Sequence, residues 1–182
     1  MLKFSLKGLL AFCLVATCVQ AQEPQPSKPE KEHEWLQQLV GEWETHGKMD
    51  AAPGQEAFEC HGSETTRSIG GLWVVAEGEA ASMGMSVESV LTLGYDPAKK
   101  KFVGTWIDSM FNHLWHYEGT LDESGTVLTL LTEGPNFTKP GEMAPYKETL
   151  EFKDKDHKVF SSYTQVDGEW VKFMTVEGKR VK

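Results

Sequence analysis

The sequence predicts an all-β protein: a closed antiparallel up-and-down barrel of about ten strands, with one short N-terminal helix. Three observations predict it. From Glu42 onward, apolar and polar residues alternate with a period of two in a series of short segments. The separators between them are short and rich in turn residues, so none holds the crossover helix that parallel pairing needs. An open ten-strand meander would leave two edges of unpaired backbone groups, and closure into a barrel removes both.

The first residues are expected to lie outside this fold. Lys3 and Lys7 form a basic start, Leu9–Val19 (LLAFCLVATCV) an apolar stretch, and Val19-Gln20-Ala21 a small-residue cleavage site. Residues 1–21 therefore read as a secretory signal peptide, which predicts an exported protein, periplasmic or secreted, that is soluble after cleavage. The rival readings are an uncleaved anchor and lipidation at Cys18, the latter disfavoured by Thr17. Cleavage would remove Cys13 and Cys18 and leave Cys60, which cannot form an internal disulfide and is expected to pack as a small apolar residue. It would also take the formal net charge from −9 to about −11. No basic stripe is present to neutralise phosphates, so nucleic acid is not an expected partner. No later segment is apolar enough to span a membrane. Asn136-Phe137-Thr138 is an N-glycosylation sequon.

Residues 22–28 read as a polar, proline-containing linker and residues 29–182 as one barrel domain. The domain opens with a helix. Ser27 and Glu30 have capping-box spacing, Pro29 suits a first turn, and Trp35, Leu36, Leu39 and Val40 form one apolar stripe that Gly41 ends. A helix of about ten residues is unstable alone, so it must dock, and the barrel end is the available surface. The strands are expected at Glu42–Met49, Glu56–Ile69, Leu72–Glu79, Val87–Tyr95, Lys101–Ser109, His113–Leu121, Thr126–Glu133, Tyr146–Lys153, Lys158–Val166 and Glu169–Val181. Asp167-Gly168 is a two-residue hairpin signal, and Asp96–Lys99, Asp122–Gly125 and Gly70-Gly71 are further turns.

The densest chemistry lies in Trp106–Tyr117, WIDSMFNHLWHY. On strands, Phe102, Gly104, Trp106 and Asp108 share one face, and His113, Trp115 and Tyr117 share another. His113 and His116 lie three apart, which puts their rings on opposite faces, so H-x-x-H here is not a metal pair. A metal would need His113 with partners such as Asp108 or His61 from other strands. Met83-x-Met85 alone is a weak copper signal. No nucleophile elbow, H-E-x-x-H or phosphate loop occurs, so no catalytic residue, metal ligand or cofactor is assigned. The aromatics then read as packing. Trp106, Asp108, His113, Trp115, Tyr117, Tyr95 and Tyr163 are the expected ligand-lining set, with Trp73 and Trp170 as further wall candidates. Met83, Met85, Met110 and Phe111, on hairpin tips, are the expected portal residues.

Two stretches resemble known families. Leu39–Trp43, LVGEW, a short helix running into a strand through Gly-x-Trp, resembles the start of the calycin group, which includes the lipocalins. That resemblance implies a lipocalin-like barrel whose base is closed by Trp43 against a late arginine, here Arg180, as a cation over an indole face. The longer blocks HEWLQQLVGEWE, IGGLWVVAEGE, LTLGYDPAKKKFVGTWIDSM, HLWHYEGTLDESG and EFKDKDHKVFSSYTQVDGEWVKFM resemble the secreted bacterial family called domain of unknown function 1579. This implies an exported bacterial barrel and supplies no activity or ligand. The expected function is a small exported barrel that binds an apolar or amphipathic small molecule. The rivals are a structural or interaction protein with a filled core, and an enzyme or metal or haem binder using Asp108 and His113 at the barrel mouth.

Overall fold

The computed structural model describes residues 26–50, 57–82 and 84–181. The expected signal segment, most of the linker and the portal candidate Met83 lie outside the described residues. The helix α1 spans Lys31–Leu36 and runs into a 3-10 turn over Gln37–Leu39. Ten strands follow: β1 Gly41–Met49, β2 Phe58–Ile69, β3 Trp73–Ser82, β4 Met85–Asp96, β5 Lys101–Asp108, β6 Trp115–Leu121, β7 Val127–Pro135, β8 Met143–Asp154, β9 His157–Val166 and β10 Glu169–Arg180. Each pairs antiparallel with its neighbour in sequence, and β1 pairs with both β2 and β10, which closes the barrel. Among the described residues no helix is long and apolar enough to cross a membrane.

Several elements differ from the sequence reading. The helix is shorter, and its N-cap is Glu30, whose N–H donates to His33 Nδ1 at 2.9 Å; Ser27 and Pro29 stay outside it. It tightens to a 3-10 turn because the chain must turn at Gly41 into β1. Gly41 sits at φ +138°, and a Cβ there would run into Arg180 Nη1, so both backbone and space require glycine. The β3–β4 and β7–β8 hairpins are longer than alternation indicates, so Met85 belongs to β4, paired with Ser82. His113 precedes β6 and lies in the loop.

The pairing register fixes which residues face inward, because cross-strand partners share a face. Trp43, Val74, Leu93, Phe102, Trp115, Tyr117, Leu128, Leu130, Tyr146 and Leu150 are buried on the inner side. The helix plugs one end: Leu36 and Leu39 are buried, Trp35 packs edge-on against Phe102 and Phe152 at 5.8 and 5.4 Å, and its Nε1 donates to Gly125 O at 2.8 Å. Burying a side chain such as Leu36 contributes roughly 1.5–3 kcal/mol, which is what holds so short a helix in place.

A polar latch surrounds Trp43, which is fully buried. Arg180 Cζ lies 4.1 Å and Lys158 Nζ 4.4 Å from its ring centroid, and its Nε1 donates to Leu39 O at 2.9 Å. Arg180 also donates to Val40 O at 2.7 Å and Gln38 O at 2.8 Å, satisfying carbonyls at the end of the helical turn. Lys158 is buried and paired with Glu64. Burial pushes the Lys158 amine below its usual range, and Glu64 opposes that shift. One residue from each end of the barrel sequence thus ties β1, β10 and the helix together.

Candidate functional site in the barrel lumen and mouth

The mouth lies at the end opposite the helix, where the β5–β6 and β7–β8 loops meet. Asp108, the last residue of β5, organises it. Its Oδ1 accepts from the N–H of Met110 and of Phe111 at 2.7 and 2.9 Å, and its Oδ2 accepts from Trp106 Nε1 at 3.2 Å. Asp108 therefore folds the loop that carries Met110 and Phe111 and fixes the Trp106 ring. A chain of aromatic contacts crosses the opening from there. Phe111 meets Phe137 at 5.1 Å, Phe137 meets Tyr146 at 6.0 Å, Tyr146 meets Trp115 at 5.2 Å, and His113 meets Trp115 at 4.9 Å. Two polar contacts hold the chain: Tyr146 donates to Pro135 O at 2.7 Å, and His113 Nε2 lies 3.2 Å from Glu133 O. Met85, Met110, Phe111, Phe137 and Met143 all remain exposed at this end.

The Trp115 ring lies flat over Gly134, where any Cβ would occupy the ring's position. Gly134→Val is expected to displace Trp115 and destabilise the barrel by about 2–3 kcal/mol. Denaturant unfolding checks this, and the same substitution should change the near-UV dichroism of the aromatic chain; an unchanged midpoint and spectrum would show that the seat is not tight.

Below the mouth, the inner wall is asymmetric. Along β1–β4 it carries the small residues Thr45, Gly47, Cys60, Gly62, Gly78, Ala80 and Ser89, by register with Trp43 and Val74. Cys60 is thus an inner-wall residue, half-buried rather than sunk in the core. The facing strands carry Trp106, Trp115, Tyr117, Tyr146, Phe160 and Phe173. Within that aromatic half sits Glu148, which is 6% exposed and has an Oε2 without a hydrogen-bond partner. Desolvation pushes its carboxyl up to about 8, against a smaller opposing effect of the Ser162 hydroxyl across the β8–β9 pair. The Tyr117 hydroxyl is raised well above its usual value, first by burial and then by the nearby Glu148 and Asp108 carboxylates. Glu148, Asp108 and Tyr117 therefore converge on one region, as two acids and a phenol within an aromatic wall.

Of the sequence-predicted lining residues, the structure gathers Trp106, Asp108, His113, Trp115 and Tyr117 at the mouth half. It separates two others. Tyr95 lies at the helix end, 5.6 Å from His33 and 5.3 Å from Phe102, beside an open crevice of about 460 Å³ that also touches Trp35 and Gly125. Tyr163 is on the outer wall, paired in register with Lys147, whose Nζ lies 4.3 Å over its ring and 5.2 Å over that of Trp170. Trp73 is outside too, 40% exposed against Gly94. These rings cover outward wall because register, not ring chemistry, sets the face. The sequence reading missed Glu148 and Phe137. Glu148 carried a signal: in Tyr146-Lys-Glu148-Thr-Leu150 alternation alone sets a carboxylate between apolar residues on one face.

The comparisons with known proteins agree with this architecture. No curated protein matches the chain in sequence. Among solved structures, Rv2717c from M. tuberculosis superposes with a TM-score of 0.62 at 14% identity, covering 82% of this chain and 96% of that one. The S-type phycobiliprotein lyase CPES from Guillardia theta superposes with a TM-score of 0.56 at 14% identity, covering 86% of this chain and 99% of that one. At such identity these likenesses concern the fold. A family model described as "Protein of unknown function (DUF1579)" matches residues 28–180, and the chain belongs to that family.

Proposed function

We propose that this chain is an exported barrel that binds a small amphipathic molecule in its lumen, with an apolar or aromatic body against Trp106, Trp115, Tyr117 and Phe173 and a hydrogen-bond-donating or cationic group toward Glu148. The observation that carries this reading is Glu148: a buried carboxyl with an unpartnered oxygen costs free energy that a ligand donor would recover. The small side chains of β1–β4 face the aromatic wall across the lumen, and lumen sites of this kind are largely apolar with a few placed polar groups. The cation Lys158 on the inner face is already engaged with Glu64 at the helix end, so it does not compete for Glu148. A barrel of similar fold is named a phycobiliprotein lyase, so the architecture is compatible with this reading.

Native mass spectrometry of the protein purified from its own host should show one small-molecule adduct. Its N-terminus, read by sequencing of the same material, should begin near Gln22. Titration of Trp fluorescence with a set of aromatic amines and their carboxylate counterparts should show at least about a tenfold preference for the amines, lost in Glu148→Leu. A barrel that is empty from its host and indifferent to both ligand sets would leave the filled-core reading in its place.

A further inference from the structure

We propose that the outer face of β1 and β2 carries a site for a divalent late first-row metal ion, of the Zn²⁺ and Co²⁺ class, held by His46, His61 and Glu59. The site lies on the wall opposite to the lumen face and is independent of what the lumen holds. His46 and His61 are cross-strand partners, and both alternate with the inward Thr45, Gly47, Cys60 and Gly62, so their rings project outward together. Glu59 lies two residues before His61 and shares that face.

The rings are stacked, with centroids 4.4 Å apart and planes within 2°. His46 Nε2 is 3.3 Å from Glu59 Oε2, and one donor atom from each residue lies within 4.8 Å of the others. Donors around a tetrahedral ion with bonds of about 2.0–2.1 Å sit roughly 3.4 Å apart. All three side chains are exposed, so closing the set takes side-chain rotation and no movement of the ladder. Two imidazoles and a carboxylate with an open fourth position form the donor set of open zinc sites, and imidazole selects late first-row metals over Ca²⁺ and Mg²⁺. Glu44, two residues before His46, and Glu177, its β10 partner, add negative charge to the same face, while Lys48 opposes it. Because each imidazole must be deprotonated to ligate, binding should weaken as pH falls.

The spacing explains why the chain itself does not advertise the site. His46 and His61 are brought together by the β1–β2 register alone, whereas the visible pair His113 and His116 is split between the β5–β6 loop and β6.

The test is calorimetric titration of the full chain, without a polyhistidine tag, with Zn²⁺ at pH 7.5, together with Co²⁺ absorption in the visible range. One equivalent is expected to bind with a Kd of order 1–10 μM, and His46→Gln and His61→Gln should each weaken it at least about tenfold. His116→Gln should leave it unchanged, and thermal midpoints should stay within about 2 °C because the residues are exposed. Absence of binding at about 100 μM Zn²⁺, or binding that survives either His46→Gln or His61→Gln, would overturn the proposal.

Discussion

Trp43→Ala is expected to destabilise the barrel by about 4–5 kcal/mol, lowering the thermal midpoint by roughly 10–20 °C. Truncating a fully buried tryptophan costs about 3–5 kcal/mol by itself. Here three further interactions end with it: the Nε1 bond to Leu39 O and the two cations stacked on the ring. Lys158 then loses its aromatic partner inside the protein and keeps only Glu64, and Arg180 loses the surface that orients it toward Gln38 O and Val40 O. Trp43→Phe separates these contributions. It keeps a ring against the cations and removes the N–H, so its expected cost is about 1–2 kcal/mol. Chemical denaturation of both variants measures the difference. If Trp43→Ala lost less than about 2 kcal/mol, the latch would be a consequence of closure and not a cause of it.

The second large effect is a pH dependence. Glu148 has a folded-state pKa raised to about 8 from a reference of 4.5. Below pH 4.5 the carboxyl is protonated in both states and carries no ionisation penalty. Between 4.5 and 8 the unfolded chain releases its proton while the folded barrel retains it, so stability falls as pH rises. Above 8 both states are ionised and the full penalty remains. At 1.36 kcal/mol per unit, the penalty above pH 8 is on the order of 3–5 kcal/mol. Glu148→Gln removes the titrating group and keeps its shape. The variant should be on the order of 3 kcal/mol more stable than the wild type at pH 9 and within about 1 kcal/mol of it at pH 5. Parallel stability curves for the two proteins from pH 4.5 to 9 would mean that water reaches Glu148 and that it is not an unpartnered lumen acid. A cationic ligand should produce the same flattening in the wild type, because it stabilises the ionised carboxyl.

The apolar start of the chain motivates export, and N-terminal sequencing addresses it. The unpartnered Glu148 oxygen motivates a ligand with a donor group, and the amine and carboxylate titrations address that.

The architecture follows from the local pattern of the chain. Alternation from Glu42, short turns at Asp96–Lys99, Asp122–Gly125 and Asp167-Gly168, and the lack of room for a crossover leave little besides an antiparallel meander that closes. These are local properties, legible because strand period and turn chemistry act within a few residues. Which side of each strand faces the lumen is set only in the folded barrel. One residue of register exchanges the two faces, and register is set by partners far along the chain. Tyr163 and Trp73 lie outside for that reason, and Tyr95 is drawn to the helix end by the length of β4. The same physics unites His46 with His61 and Trp43 with Arg180. Their separations in sequence say nothing of contact until the first strand meets the second on one edge and the last on the other.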